Sequence, residues 1–280
     1  MVRQVGGGRV DVTALVGPDS DAHVFNPTPA DVRAVASADI FLVNGLSFEG
    51  WLGRLEQASR TRARVVHATQ GVKRRLIRGT HDGHADDHGD GHAHDHDHSP
   101  RPGGEAVDPH AWQSLVNGQV YVRNIEAALA ATDRANAPYF AERARTYRAE
   151  LETLHAQARA RLARVPPQYR RIVTNHDAFG YFGDAYGLNF IAPAGVSTGG
   201  EPNAADIARL IEQIRREKIR AIFIENISDA RLLQQIAQET GVRIGGRVFS
   251  DALSDADGPA PTYIKMFHHN LDAFALALSS

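Results

Sequence analysis

The chain has 280 residues, 42% of them hydrophobic, and a formal net charge of −2; this is enough apolar material for one large domain or two of ordinary size, with no electrostatic footprint for nucleic acid or an anionic membrane. It contains no cysteine, which excludes thiolate zinc ligands, disulfides and Cys nucleophiles. No apolar run approaches the roughly 20 residues needed to cross a bilayer, and residues 1–8 hold no apolar signal-peptide core, so the chain is either cytoplasmic or separated from its export signal.

In chain order, short Val- and Ile-rich runs alternate with longer helical patterns, the mark of parallel α/β units. Strands are expected at 10–16, 40–44 and 65–67, with a helix at 30–38 behind a Pro-Thr-Pro entry. After a long gap, further strands are expected at 172–175, 189–192, 221–225 and 242–249, with a helix at 204–217 that Asn203 caps. Two helical stretches and no strand separate the groups. The first, 115–131, places apolar residues at Val116, Val120, Ile125 and Leu129; the second, 136–163, repeats them from Tyr139 and Phe140 through Ala144, Tyr147, Leu151, Leu154 and Ala158 to Leu162, ending before Pro166-Pro167. The second would span about 40 Å and reads as a strut. The expected organisation is an N-terminal α/β lobe at 1–134, a connecting helix at 135–165 and a C-terminal α/β lobe at 166–280.

Segment 79–105 differs in kind. It carries seven of the fourteen histidines, His81, His84, His88, His92, His94, His96 and His98, among Asp and Gly. With almost no apolar side chain it reads as a disordered loop on the first lobe that offers a weak, multidentate surface for Zn²⁺, Cu²⁺ or Ni²⁺; the competing reading is an inert solvated insertion.

Four further residues sit singly among turn-forming neighbours: His23, His110, His176 and Asp251. Three imidazoles and a carboxylate make a complete tetrahedral shell for Zn²⁺. His176 and Asp251 each follow a strand-like run, and in open α/β sheets the loops at the carboxyl ends of strands line the binding crevice. Two ligands from each half would close one site between lobes.

The motifs carrying these residues resemble the zinc-binding substrate-binding proteins of bacterial ABC importers. They are Val16-Gly17-Pro18-Asp19 running to His23 and Pro27-Thr28-Pro29, Asn44-Gly45 followed by Glu49-Gly50-Trp51, Asp108-Pro109-His110-Ala111-Trp112, Thr174-Asn175-His176-Asp177-Ala178-Phe179, and Glu201-Pro202 ahead of the 221–225 strand. The resemblance spans the whole chain. It implies two parallel-sheet lobes on one long helix, a metal in the cleft between them, an extracytoplasmic location, a membrane permease as partner with a zinc metallochaperone as a further one, and a monomer. It also implies a strand ahead of residues 1–5, which read as the tail of the family's first helix, so the first lobe is expected to show only the strands beginning near Val10, Ile40 and Val65. Manganese-binding relatives typically carry Glu where this chain has His176, which favours zinc; copper binds imidazole strongly and ranks behind it with manganese.

The expected function is therefore non-enzymatic capture of Zn²⁺ and its delivery to a permease. A zinc hydrolase and a zinc buffer without a transporter are the alternatives. Against the hydrolase stands the lack of a compact His-Glu-x-x-His helix, and Asp177 reads as a partner of His176 or a helix-start residue.

Overall fold

The computed structural model describes residues 1–78, 105–200 and 202–279; the seven histidines from His81 to His98 lie outside them. The chain opens with α1 (Val2–Gly6), then α2 (Pro29–Ser37), β1 (Ile40–Val43), α3 (Leu52–Ser59) and β2 (Arg64–His67). Thr28 and Asp31 form a reciprocal capping box that fixes the start of α2. β1 and β2 pair in parallel, from Ile40 opposite Arg64 to Val43 opposite His67.

The strand expected at 10–16 does not form. Val10 is extended (φ −137°, ψ 140°), but a groove of about 1000 Å³ is lined both by this segment, with Val12 and Leu15, and by Phe41 and Val43 of β1. No ladder joins this segment to β1, which pairs with β2. One carbonyl of the segment, Val12 O, is instead taken by Arg3 Nη2 at 2.8 Å. The first parallel sheet thus has two strands where three were expected.

β3 (Leu76–Arg78) and β4 (Glu105–Val107) form an antiparallel ribbon that the sequence did not announce, and Glu105, assigned above to the His-rich loop, is its first returning residue. α4 (Leu115–Thr132) and α5 (Ala137–Leu162) follow. In α4, Ile125 and Leu129 are buried as expected, but Val116 is exposed, and Leu115, Tyr121 and Val122 are buried instead. α5 has 26 residues, about 39 Å of helix. It buries Phe140, Ala144, Tyr147, Leu151, Leu154, Ala158 and Leu162 as expected, and only Tyr139 turns outward.

The second half contains β5 (Arg171–Val173), α6 (Gly180–Tyr186), β6 (Asn189–Ile191), α7 (Ala204–Glu217), β7 (Ala221–Glu225), α8 (Arg231–Thr240), β8 (Arg243–Val248) and α9 (Tyr263–Ser279). Its four parallel strands lie in the order β6-β5-β7-β8. Asn203 caps α7 by accepting from the Asp206 amide at 2.9 Å. β7 is buried at Ile222 and Phe223 because helices cover both faces of the sheet, as parallel sheets require. The largest core runs from Val5, Val122 and Ile125 through the buried stripe of α5 to Phe182, Phe267 and Phe274, so α5 ties the two sheets into one hydrophobic body. No helix among the described residues is long and apolar enough to cross a membrane.

Candidate metal centre

Each of the four singled-out side chains is fixed by its local chain before it meets the others. His23 lies in the loop ahead of α2. Its amide donates to Asp21 Oδ1 at 2.9 Å, and Trp51 Nε1 holds the preceding carbonyl, Ala22 O, at 2.8 Å. The same turn after β1 supports His110: Glu49 accepts from the amides of Asn44 and Gly45 at 2.5 and 3.1 Å, and Asn44 Nδ2 donates to Pro109 O at 3.0 Å. Gly45 is needed there, since its φ is 87° and a Cβ would fall 2.9 Å from His67 Nδ1. Burial raises the pKa of the Glu49 carboxyl against the lowering effect of those amides.

His110 is fully buried after β4, and both its amide and its Nδ1 lie 2.9 Å from Asp108 Oδ1. His176 follows β5. Its amide donates to Glu225 Oε1 at 2.8 Å and its Nδ1 is 2.5 Å from Glu225 Oε2, a buried carboxylate at the end of β7. Carboxylates beside both Nδ1 atoms fix the ring orientations and aim each Nε2 inward. Asp251 follows β8 and is held from both sides: Trp112 Nε1 and Gln113 Nε2 donate to Ser250 O at 2.9 and 2.8 Å, and the Asp19 amide donates to Leu253 O at 2.9 Å.

The structure brings His23, His110, His176 and Asp251 together, with one ligand atom of each within 4.8 Å of every other. His110 Nε2 is 3.3 Å from both His23 Nε2 and His176 Nε2. Asp251 Oδ2 is 3.2 Å from His23 Nε2 and 3.1 Å from His176 Nε2, and Oδ1 is 3.6 Å from His110 Nε2. These separations have the scale of tetrahedral edges. Donors about 2.0 to 2.1 Å from one ion lie about 3.3 to 3.4 Å apart. Both Asp251 oxygens are buried with no partner beyond the facing imidazoles, an arrangement that costs stability unless a cation or proton answers it.

The electrostatics agree. Burial alone would discharge His176, but the charges of Glu225 and Asp251 outweigh it and hold its pKa well above the ordinary imidazole value. Burial likewise opposes the Asp251 charge, and the imidazoles of His176 and His110 overcome it, keeping the carboxyl ionised far below its usual range. Both shifts favour positive charge on the imidazole side of the pair and negative charge on Asp251.

Sequence reasoning missed the residues behind the candidate ligands. The carboxylate on His176 Nδ1 is Glu225, not the adjacent Asp177, whose amide donates to Gly195 O; the carboxyl pKa of Asp177 is raised by burial and by Asp108. Asp108 had a visible signal, standing two residues before His110 in an Asp-Pro-His turn. Glu225 had only its place at the end of an apolar strand.

Comparison with known proteins agrees with this geometry. Residues 1–277 match the model of the ZnuA family, described as the periplasmic component A of a zinc-uptake complex. Over 278 residues the chain is 30% identical to the iron-binding protein YfeA of Yersinia pestis, covering 98% of this chain and 81% of that protein. It is 29% identical to the manganese-binding lipoprotein MntA of Bacillus subtilis, covering 98% and 84%. Among solved structures, the periplasmic zinc-binding protein TroA of Treponema pallidum superposes with a TM-score of 0.85 at 29% identity, covering 99% of this chain and 94% of that one. The chain therefore belongs to the ZnuA family of periplasmic metal-binding receptors that serve ABC importers.

Proposed function

We propose that the protein captures Zn²⁺ outside the cytoplasmic membrane with His23, His110, His176 and Asp251 and delivers it as cargo to an ABC importer's permease. The observation that carries the choice of metal is the donor set: three imidazole Nε2 atoms and one carboxylate at tetrahedral spacing suit borderline Zn²⁺ better than an ion that prefers oxygen and higher coordination. In this reading residues 1–134 and 166–280 act as two lobes on the strut of α5, and the metal sits between them. Capture needs no open coordination position, so the set argues against hydrolysis, for which a water site is kept.

A manganese or iron receptor is the second reading. It draws support from the relatives MntA, a manganese-binding lipoprotein, and YfeA, an iron-binding protein, and from Asp251, whose second oxygen could raise the coordination number to five. Competition between Zn²⁺ and Mn²⁺ for the metal-free protein, followed by calorimetry and metal analysis, separates the two. Zinc is expected to win by orders of magnitude and to leave with no manganese bound; equal or preferential retention of manganese would reverse the assignment.

A further inference from the structure

Arg75 stands just before β3, and Asp108 just after its partner strand β4. The Asp108 amide donates to Arg75 O at 2.9 Å, extending the ribbon by one rung. Asp108 is fully buried and divides its two oxygens between two neighbours. Oδ1 takes the amide and Nδ1 of His110, while Oδ2 lies 3.2 Å from Arg75 Nη1.

The same guanidinium reaches into the second half of the protein. Its Nε is 3.2 Å from Asp184 Oδ2 on α6. It lies flat over Gly180, where a Cβ would fall 2.3 Å from Cζ and from Nη1. The Arg75 amide donates to Tyr181 OH at 2.8 Å. Since α6 begins shortly after His176, one cation touches both the carboxylate behind His110 and the helix that continues from His176. A planar fork suits this: a guanidinium serves two carboxylates along fixed directions while its face packs on a glycine, whereas an ammonium has rotating donors and no flat face to lay there.

We infer that Arg75 is a positioning residue for metal capture, orienting the Asp108–His110 pair and setting its register against the segment that carries His176. The inference rests on the zinc site proposed above. Arg75 does not touch the ion; it acts through Asp108, much as outer-shell partners of zinc-bound histidines hold ring orientation and lone-pair direction.

The experiment uses the full chain with Zn²⁺ as probe, read by competition with a chromophoric chelator, and Co²⁺ absorption as a report of site geometry. Arg75→Met, Arg75→Lys, Asp108→Asn and the Arg75→Met/Asp108→Asn double variant are compared with the unaltered protein. Arg75→Met is expected to weaken zinc binding about tenfold or more and to alter the Co²⁺ spectrum. Arg75→Lys should recover only part of the loss, and the double variant should bind no worse than Asp108→Asn alone. A loss under about fivefold in Arg75→Met, or single losses that multiply in the double variant, overturns the inference. Should Arg75→Met fail to fold, Gly180→Ala displaces the guanidinium without removing its charge; a folded Gly180→Ala protein with unchanged affinity overturns it equally. Failure of the unaltered protein to bind zinc at all would remove the underlying zinc reading, an outcome distinct from any difference among the variants.

Discussion

Gln113, three residues beyond His110, donates from Nε2 to the carbonyl of Ser250, the residue before Asp251, at 2.8 Å, and Trp112 Nε1 shares that carbonyl at 2.9 Å. The segments carrying two candidate ligands, His110 and Asp251, are thus fastened to each other across the two halves of the chain by a pair of hydrogen bonds to one carbonyl. This clasp forms part of the site's geometry before any ion arrives.

Loosening it should cost affinity without removing a ligand. Trp112→Phe and Gln113→Leu each delete one bond worth about 1 kcal/mol, and together they free the Ser250 carbonyl. The paired variant is expected to bind zinc roughly tenfold more weakly while keeping its fold. Titration calorimetry beside circular dichroism checks this, and unchanged affinity would show that the Asp251 loop is held sufficiently by Asp19 and by Asn226, whose Nδ2 donates to Ala252 O at 3.2 Å and whose Oδ1 accepts from the Ser250 amide at 3.3 Å.

Replacing His110 or His176 by Ala removes a buried donor and strands its carboxylate partner, Asp108 or Glu225. Each change is expected to weaken zinc binding by more than about 100-fold, beyond the range of outer-shell losses. Asp251→Ala should be milder, because a water can enter the fourth position and the three imidazoles remain. Dissociation constants for the three variants decide the matter; equal losses would mean that water does not substitute.

Proton linkage follows from the two shifted groups. The raised pKa of His176 means that its proton stabilises the metal-free fold fully below the ordinary value of about 6.5 and progressively less as pH rises through the higher folded value. Asp251, lowered from 3.8, contributes stability above that value and loses it only as pH falls toward the folded one. Zinc must displace the His176 proton. Affinity should therefore climb with pH by about tenfold per unit through 6.5 and beyond it, and binding heat should vary with the ionisation enthalpy of the buffer. A flat affinity between pH 6 and 8 would contradict a protonated His176 in the metal-free state.

The His-rich segment yields a prediction from sequence alone. A zinc ion held by two or three of His81, His84, His88, His92, His94, His96 and His98 is tethered to the same chain as the tight site, so transfer is intramolecular. Deleting residues 80–99 is expected to leave the tight site unchanged, to abolish weaker binding events in a titration, and to slow loading from a protein-bound zinc source. Identical loading rates with and without the segment would mark it as an inert insertion.

The second sheet was legible because its strands are short apolar runs flanked by turn residues, and Ala221–Glu225 emerged with the bounds expected. Residues 10–16 have a comparable composition, yet strand formation depends on a partner within hydrogen-bonding reach, and no ladder joins them to β1. β3 and β4 are three residues each and exist because the chain returns on itself, a fact no local pattern carries. Among the site residues, the four inward-facing side chains stood out as isolated chemistry in turn-rich contexts. Glu225 did not, since it acts on His176 from 49 residues away, and Arg75 is one arginine in a basic run until folding lays it on Gly180.

The four inward-facing side chains come from four distant segments, with His23 and His110 separated by 87 residues and His110 and His176 by 66. Gathering them in a denatured chain would require several large loops to close at once, each with an entropic cost. A half-finished or damaged molecule therefore offers only isolated imidazoles and cannot retain the ion. In the zinc-receptor reading, occupancy would report that the whole chain has folded, and a permease that accepts only the loaded receptor would also be accepting only fully folded receptors.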